Sequence, residues 1–100
     1  MKGRVATPEA SALIARTARH FGHKVPVTTS DGYASIETRF GRAELAVSGD
    51  GFSIALASPD RASLESIRGV VTSHVTRFAR TPVDIHWFDD KQDPEAASND

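Results

Sequence analysis

The sequence predicts an α+β fold in which two helices pack on one face of a largely antiparallel sheet. Two helix-start motifs, Thr7-Pro8-Glu9 and Ser58-Pro59-Asp60, each follow a short apolar segment and precede a long amphipathic one. Between them, apolar and polar residues alternate with a period of two and are interrupted by short turns, a pattern typical of hairpins. The predicted order is therefore β-α-β-β-β-β-α-β, a two-layer sandwich.

The same motifs predict where the helices begin and end. The first helix is predicted at residues 8–21 and the second at residues 59–79. Thr7 and Ser58 are expected to accept hydrogen bonds from first-turn amides, since hydroxyl side chains are good N-caps, and the prolines that follow preset the backbone. Gly22 is expected to end the first helix in a left-handed conformation.

Six short strands complete the layer pattern, and they are predicted at residues 4–6, 25–29, 33–38, 43–47, 52–56 and 83–88. Pro26 cannot donate a backbone hydrogen bond, so its strand is placed at a sheet edge. The alternation directs one set of strand residues toward the helices, namely Ala34, Ile36, Phe40, Ala43, Leu45, Val47, Phe52, Ile54 and Leu56. The residues expected to be mostly buried in the core are Leu13, Ile14, Phe21, Ile36, Leu45, Ile54, Leu64, Ile67, Val71, Phe78 and Trp87. On the outer face, Glu37 and Glu44 are expected to pair with Arg39 and Arg42.

Charge and cysteine content limit the classes of partner. The net charge is −1 and the isoelectric point is near 6.4, so no nucleic-acid partner and no membrane partner are expected. No apolar run approaches the length that spans a membrane. The chain holds no cysteine, which excludes disulfides and thiolate chemistry and is compatible with the predicted cytoplasmic location.

The charges are distributed unevenly along the chain. Residues 1–88 hold 11 basic and 8 acidic side chains, whereas residues 89–100 hold one lysine and five carboxylates. The acidic segment has few apolar residues to bury, so it is predicted to be a disordered tail. Residues 1–88 are predicted to form a single domain.

The histidines are the residues with the clearest route to chemistry. His20 and His23 are three residues apart at the end of the first helix, where two imidazoles could converge on one metal ion. The interpretation that we favour is structural, with His20 near the terminal carbonyls and His23 in the turn. His74 is expected to be half-buried on the flank of the second helix and bonded to a backbone carbonyl or hydroxyl, and His86 is expected to be exposed on the outer sheet face.

Three segments carry a family resemblance. They are His-Phe-Gly-His-Lys-Val-Pro-Val at 20–27, Ser-His-Val-Thr-Arg-Phe at 73–78 and Ile-His-Trp at 85–87. With these segments the chain resembles the bacterial family known as domain of unknown function 2218, from about residue 4 to residue 88. The resemblance implies a TATA-binding-protein-like α+β fold. Some relatives resemble a module appended to siderophore-interacting flavin reductases, which implies a link to iron acquisition, but the resemblance implies no reaction.

These observations favour a non-enzymatic accessory or ligand-binding module. The candidate ligand-binding residues are His20, His23, Lys24 and His74, with no catalytic residue and no cofactor expected. One alternative is a metal-binding protein that uses His20 and His23, and the other is an enzyme of a class that the sequence does not identify. A protein partner and a homodimer both remain open.

Overall fold

A computed structural model describes residues 1–89, and eight elements follow one another there in the predicted order. They are β1 (Lys2–Ala6), α1 (Ala10–Phe21), β2 (Val27–Ser30), β3 (Tyr33–Thr38), β4 (Gly41–Ser48), β5 (Gly51–Ala57), α2 (Arg61–Phe78) and β6 (His86–Phe88). The predicted disordered tail lies outside the described residues, apart from Asp89. No helix within residues 1–89 is long and apolar enough to cross a membrane.

The six strands form one antiparallel sheet in the order β2-β3-β4-β5-β1-β6. Tight turns join β2, β3, β4 and β5 in succession, so each of these strands pairs with the next one in the chain. The first strand of the chain pairs with β5 on one side and with β6 on the other. The predicted fold class is confirmed, and the arrangement is compatible with a TATA-binding-protein-like fold.

Both helices cover the same face of this sheet and bury one hydrophobic core. The strand residues at its centre, Ala34, Ile36, Ala43, Leu45, Phe52 and Ile54, are fully buried under Leu13, Ile14, Ile67, Val71 and Val75. Leu64, Phe78 and Trp87 pack against the core but are only partly buried. Val47 lies on the helix side of the sheet, as predicted, but it is 45% exposed because it lies one residue from the end of β4, where it lines an open groove beside the start of α1.

The helix ends differ from the predicted ones in their capping groups. Asp60 caps α2, since its carboxylate accepts a 2.7 Å hydrogen bond from the Ser63 amide, whereas the Ser58 hydroxyl donates to the Phe40 carbonyl. Thr7 accepts a hydrogen bond from the Glu9 amide just before α1 begins. The prediction for Ser58 is therefore wrong, because Asp60 lies at the three-residue spacing from which a side chain reaches a first-turn amide.

Gly22 also departs from its predicted conformation. Its φ of −61° and ψ of −15° are right-handed, and its amide still donates to the Ala18 carbonyl. The amides of Lys24 and Val25 both donate to the Phe21 carbonyl, so the turn after α1 is closed without a left-handed residue.

The last strand is shorter than predicted, because only His86–Phe88 pair with β1. Trp87 faces the helix layer, where its indole Nε1 donates to the Thr72 hydroxyl on α2. A Cβ at Gly3, opposite Trp87, would lie 2.8 Å from the indole ring, so the absence of a side chain there makes room for it. His86 is exposed on the outer face, as expected.

The outer face carries one of the predicted ion pairs. Arg42 and Glu37 are directly opposite each other and form a 2.7 Å ion pair between Nε and Oε1. Glu44 instead accepts a 2.7 Å hydrogen bond from the Tyr33 hydroxyl. Arg39 lies over the Phe40 ring, so the prediction that it pairs with a carboxylate is wrong.

Candidate functional site

The end of α1 and the second half of α2 lie side by side and bring His20 against α2. The His20 ring centroid lies 5.0 Å from that of His74 and 4.9 Å from that of Phe78. The two helices adopt this arrangement because Phe21 and Val75, on their apolar stripes, are buried in the core below. We call the cluster of His20, His74 and Phe78 the ring cluster.

His74 is held in one orientation by its own helix. Its Nδ1 lies 2.7 Å from the Val70 carbonyl oxygen, and its ring centroid lies 4.3 Å from that of Phe21. Because a carbonyl oxygen only accepts, the Nδ1 that faces it carries a proton and donates the hydrogen bond. The predicted half-buried, carbonyl-bonded His74 is thus observed.

The surroundings of His20 favour its neutral form. Burial lowers the pKa of His20, and the positive charges of His74, Arg77, Lys24 and His23 lower it further. Since every one of these neighbours is a base, a bound anion would act in the opposite direction and raise the pKa of His20.

A groove of about 260 Å³ opens beside the ring cluster, and no carboxylate of residues 1–89 lines it. Its walls are Arg16, Arg19, His20, His23 and Phe78. We call it the histidine groove.

Among the described residues, Arg16 is the one cation of this site that an ion pair neutralises. Arg16 pairs with Glu9 and also donates from Nε to the Phe78 carbonyl, which ties α1 to the end of α2. Arg19, Lys24 and Arg77 take part in none of the ion pairs within residues 1–89. The site therefore has positive charge available for a ligand.

The four candidate residues of the sequence lie together, but not in the predicted pairing. His20 and His23 both line the histidine groove, and Lys24 is near enough to affect the pKa of His20, yet the ring in contact with His20 is that of His74. Within residues 1–89, no three histidine or carboxylate side chains are placed to share a metal ion.

Phe78, Arg19 and Arg77 also contribute to this site, although they were not among the candidate residues predicted from the sequence. His74 and Phe78 are four residues apart and therefore share a face of α2, and Arg19 and His20 are adjacent in the last turn of α1. These spacings place each pair locally. Which helix faces meet depends on the packing of the two helices, and no local spacing gives that.

The chain is similar to known bacterial proteins in sequence and in fold. A family model described as an uncharacterised protein conserved in bacteria, DUF2218, matches residues 2–88. The chain is also similar to PA4090 from Pseudomonas aeruginosa, whose NMR structure matches with a TM-score of 0.66 at 25% identity, over 85% of this chain and 91% of that one. No curated protein gives a significant match. Because the family model spans nearly all of the described residues, the chain belongs to the bacterial DUF2218 family of uncharacterised proteins.

Proposed function

We propose that the protein is a non-enzymatic binding module of the bacterial cytoplasm that takes a small organic anion in the histidine groove. The observation that carries this proposal is the charge around the groove: Arg19 lines it, Lys24 and Arg77 are close enough to lower the pKa of His20 in its wall, and none of the three forms an ion pair within residues 1–89. Guanidinium and ammonium groups form their strongest hydrogen bonds with carboxylate and phosphate oxygens. The charge balance of the site therefore favours an anion.

The rings that line the groove indicate which class of anion would bind there. Phe78 and His20 both line it, and the Arg77 guanidinium lies 5.7 Å from the Phe78 ring centroid. A planar ligand could stack on these rings while its anionic group meets Arg19 or Lys24. Aromatic carboxylates combine both features.

The residues that line the groove support binding without turnover. They include no carboxylate and no hydroxyl, so a nucleophile with an adjacent base is not available there. His74 is not among these lining residues, and its Nδ1 donates to the Val70 carbonyl of its own helix.

The iron context rests on the resemblance to modules of siderophore-interacting flavin reductases. Carboxylate-type iron chelators are organic anions of the class that this groove would take. Ferric citrate, compared with citrate alone, is therefore an informative probe.

The proposal is tested by titrating ¹⁵N-labelled protein with salicylate, citrate and ferric citrate, with sodium chloride at matched ionic strength as the blank. We expect saturable chemical-shift changes in the amides of His20, Lys24 and Arg77. For the iron context we expect the metal complex to bind more tightly than citrate alone. In the NMR titration, gallium citrate replaces ferric citrate, because Ga³⁺ is diamagnetic and does not broaden the signals.

Matched arginine variants locate the site. Arg19→Gln and Arg77→Gln should each weaken binding about threefold to fivefold, because an exposed charge contact is worth about 0.6–1 kcal/mol. Arg61→Gln, at the other end of α2 and paired with Glu65, should leave affinity unchanged. Shifts that do not saturate, or an equal effect of Arg61→Gln, would contradict the proposal.

Metal binding is the second candidate, and the separation of His20 and His74 favours it. Two imidazoles on one tetrahedral zinc ion have ring centroids about 5 Å apart, close to the 5.0 Å seen here. We expect micromolar Zn²⁺ or Fe²⁺ to leave the thermal midpoint unchanged, since two histidines form an incomplete site. An upward shift lost in His20→Ala and in His23→Ala would replace the anion proposal with the metal site of the sequence analysis; the same loss in His74→Ala would identify the ring pair as the ligands.

A further inference from the structure

The strand β2 forms one edge of the sheet, and its hydrogen-bonding pattern can be read from a single bond. The Glu37 amide donates to the Pro26 carbonyl at 3.1 Å, and Val27 lies opposite Ile36 in the same register. Hydrogen-bonded pairs alternate along an antiparallel ladder, so Thr28, like Pro26, bonds toward β3. The N–H and C=O groups of Val27 and Thr29 therefore point to the open edge.

This edge is not protected against pairing with another strand. Val27–Ser30 contains no lysine, carboxylate or proline, which are the usual devices that prevent edge pairing. The opposite edge, β6, leads into the acidic segment 89–100, where two copies would repel each other. The β2 edge is thus the side of the sheet on which a further strand would be tolerated.

A groove of about 440 Å³ runs beside this edge, between α1 and the β2–β3 hairpin. Its floor is apolar, with Ile14, Ala18 and Val27, and hydroxyl groups of Ser11 and Thr29 lie along its walls. Three of the α1 side chains there, Ser11, Ala15 and Ala18, are small, so α1 leaves part of the inner face of β2 open.

The charges at the two ends of the edge are opposite. Arg19 lines the groove and Lys24 lies in the turn just before β2, whereas Asp31 lies in the turn just after it. None of the three takes part in an ion pair within residues 1–89. An edge with a positive start and a negative end is complementary to its own copy in antiparallel orientation.

We propose that β2 pairs with β2 of a second copy of this chain, around a twofold axis at Thr28, to form a continuous twelve-stranded sheet. Val27 of each copy then exchanges both backbone hydrogen bonds with Thr29 of the other, which uses the four outward-facing groups of each strand. The same register places Asp31 beside Val25 and Lys24 of the second copy. The contact is short, so the dimer is weak and concentration-dependent.

The experiment is sedimentation equilibrium from micromolar to millimolar protein, combined with hydrogen exchange of the Val27 and Thr29 amides. We expect a reversible dimer, with both amides protected only at concentrations where it forms. Monomeric protein throughout this range would refute the proposal, as would a dimer that leaves both amides unprotected.

Substitutions in β2 and at the charges that flank it test whether this edge forms the dimer interface. Thr29→Pro removes an outward N–H and should weaken dimerisation more than tenfold, whereas Thr28→Val, on the same strand, leaves the edge backbone intact and should not. Lys24→Asp and Asp31→Lys should each weaken the dimer, and the double variant should dimerise more tightly than either single variant. Trp87 fluorescence verifies that each variant is folded. If Thr29→Pro fails to fold, the charge exchange decides the outcome, and failure of the double variant to recover would refute the pairing.

Discussion

Replacing Ile54 with alanine tests the packing of the central strands. Ile54 is fully buried in β5, opposite Leu45 on β4 and Gly3 on β1. The substitution removes three carbon atoms from the core, and lost burial at about 0.8 kcal/mol for each gives about 2.4 kcal/mol. A residual cavity adds about 1 kcal/mol, because the paired strands restrict collapse around it. The expected loss in the free energy of unfolding is therefore about 3–4 kcal/mol.

The assay is urea denaturation followed by the fluorescence of Trp87. The midpoint should fall while the dependence on urea stays unchanged, since the surface exposed on unfolding is nearly the same. Val47→Ala is the matched control, because Val47 is 45% exposed and should cost less than about 1 kcal/mol. A loss below about 1 kcal/mol for Ile54→Ala would show that the assignment of the buried face is wrong.

Three further predictions concern the N-cap of α2, the pKa of His20 and the acidic residues 91–100. In urea denaturation, Asp60→Ala should lower the free energy of unfolding by about 1 kcal/mol and Asp60→Asn by much less. The reason is that only the alanine removes the acceptor of the Ser63 amide hydrogen bond. Equal losses for the two variants would contradict a capping role for Asp60. The pKa of His20 is lowered in the folded protein, so the unfolded chain takes up the proton first. The free energy of unfolding should therefore decline as the pH falls below 6.5, His20→Gln should reduce that decline and His86→Gln should retain it. Removal of residues 91–100 should leave the thermal midpoint nearly unchanged in calorimetry, and a large drop would mean that the acidic segment docks on the domain.

The strand layout followed from local pattern alone. The alternation at Tyr33–Thr38 and Gly51–Ala57 marked which side chains are buried, because a strand turns every second residue to the same face. The short turns then required antiparallel neighbours. Local pattern was less informative at the ends of elements, since Ser58 and Asp60 are both good capping residues and only backbone geometry selects between them.

The candidate site was predictable in part. His20, His23 and Lys24 adjoin one another in sequence, so their common location needed no tertiary knowledge. The contact of His20 with His74 spans the two helices and depends on how they pack on the sheet. The spacing of His20 and His23 suggested a pair within one turn, but such a spacing carries no information about a ring supplied by another element.

The sequence by itself determined the order of the elements, the buried face of each and the excess of positive charge in residues 1–88. These properties depend on residues within a few positions of one another, where periodicity and turn chemistry act. Only the tertiary structure decided that β1 lies between β5 and β6, that His20 meets His74 and Phe78, and that the groups of Val27 and Thr29 face an open edge. Those contacts depend on how distant segments pack to bury a shared core, and many pairings of the same local elements satisfy the same pattern.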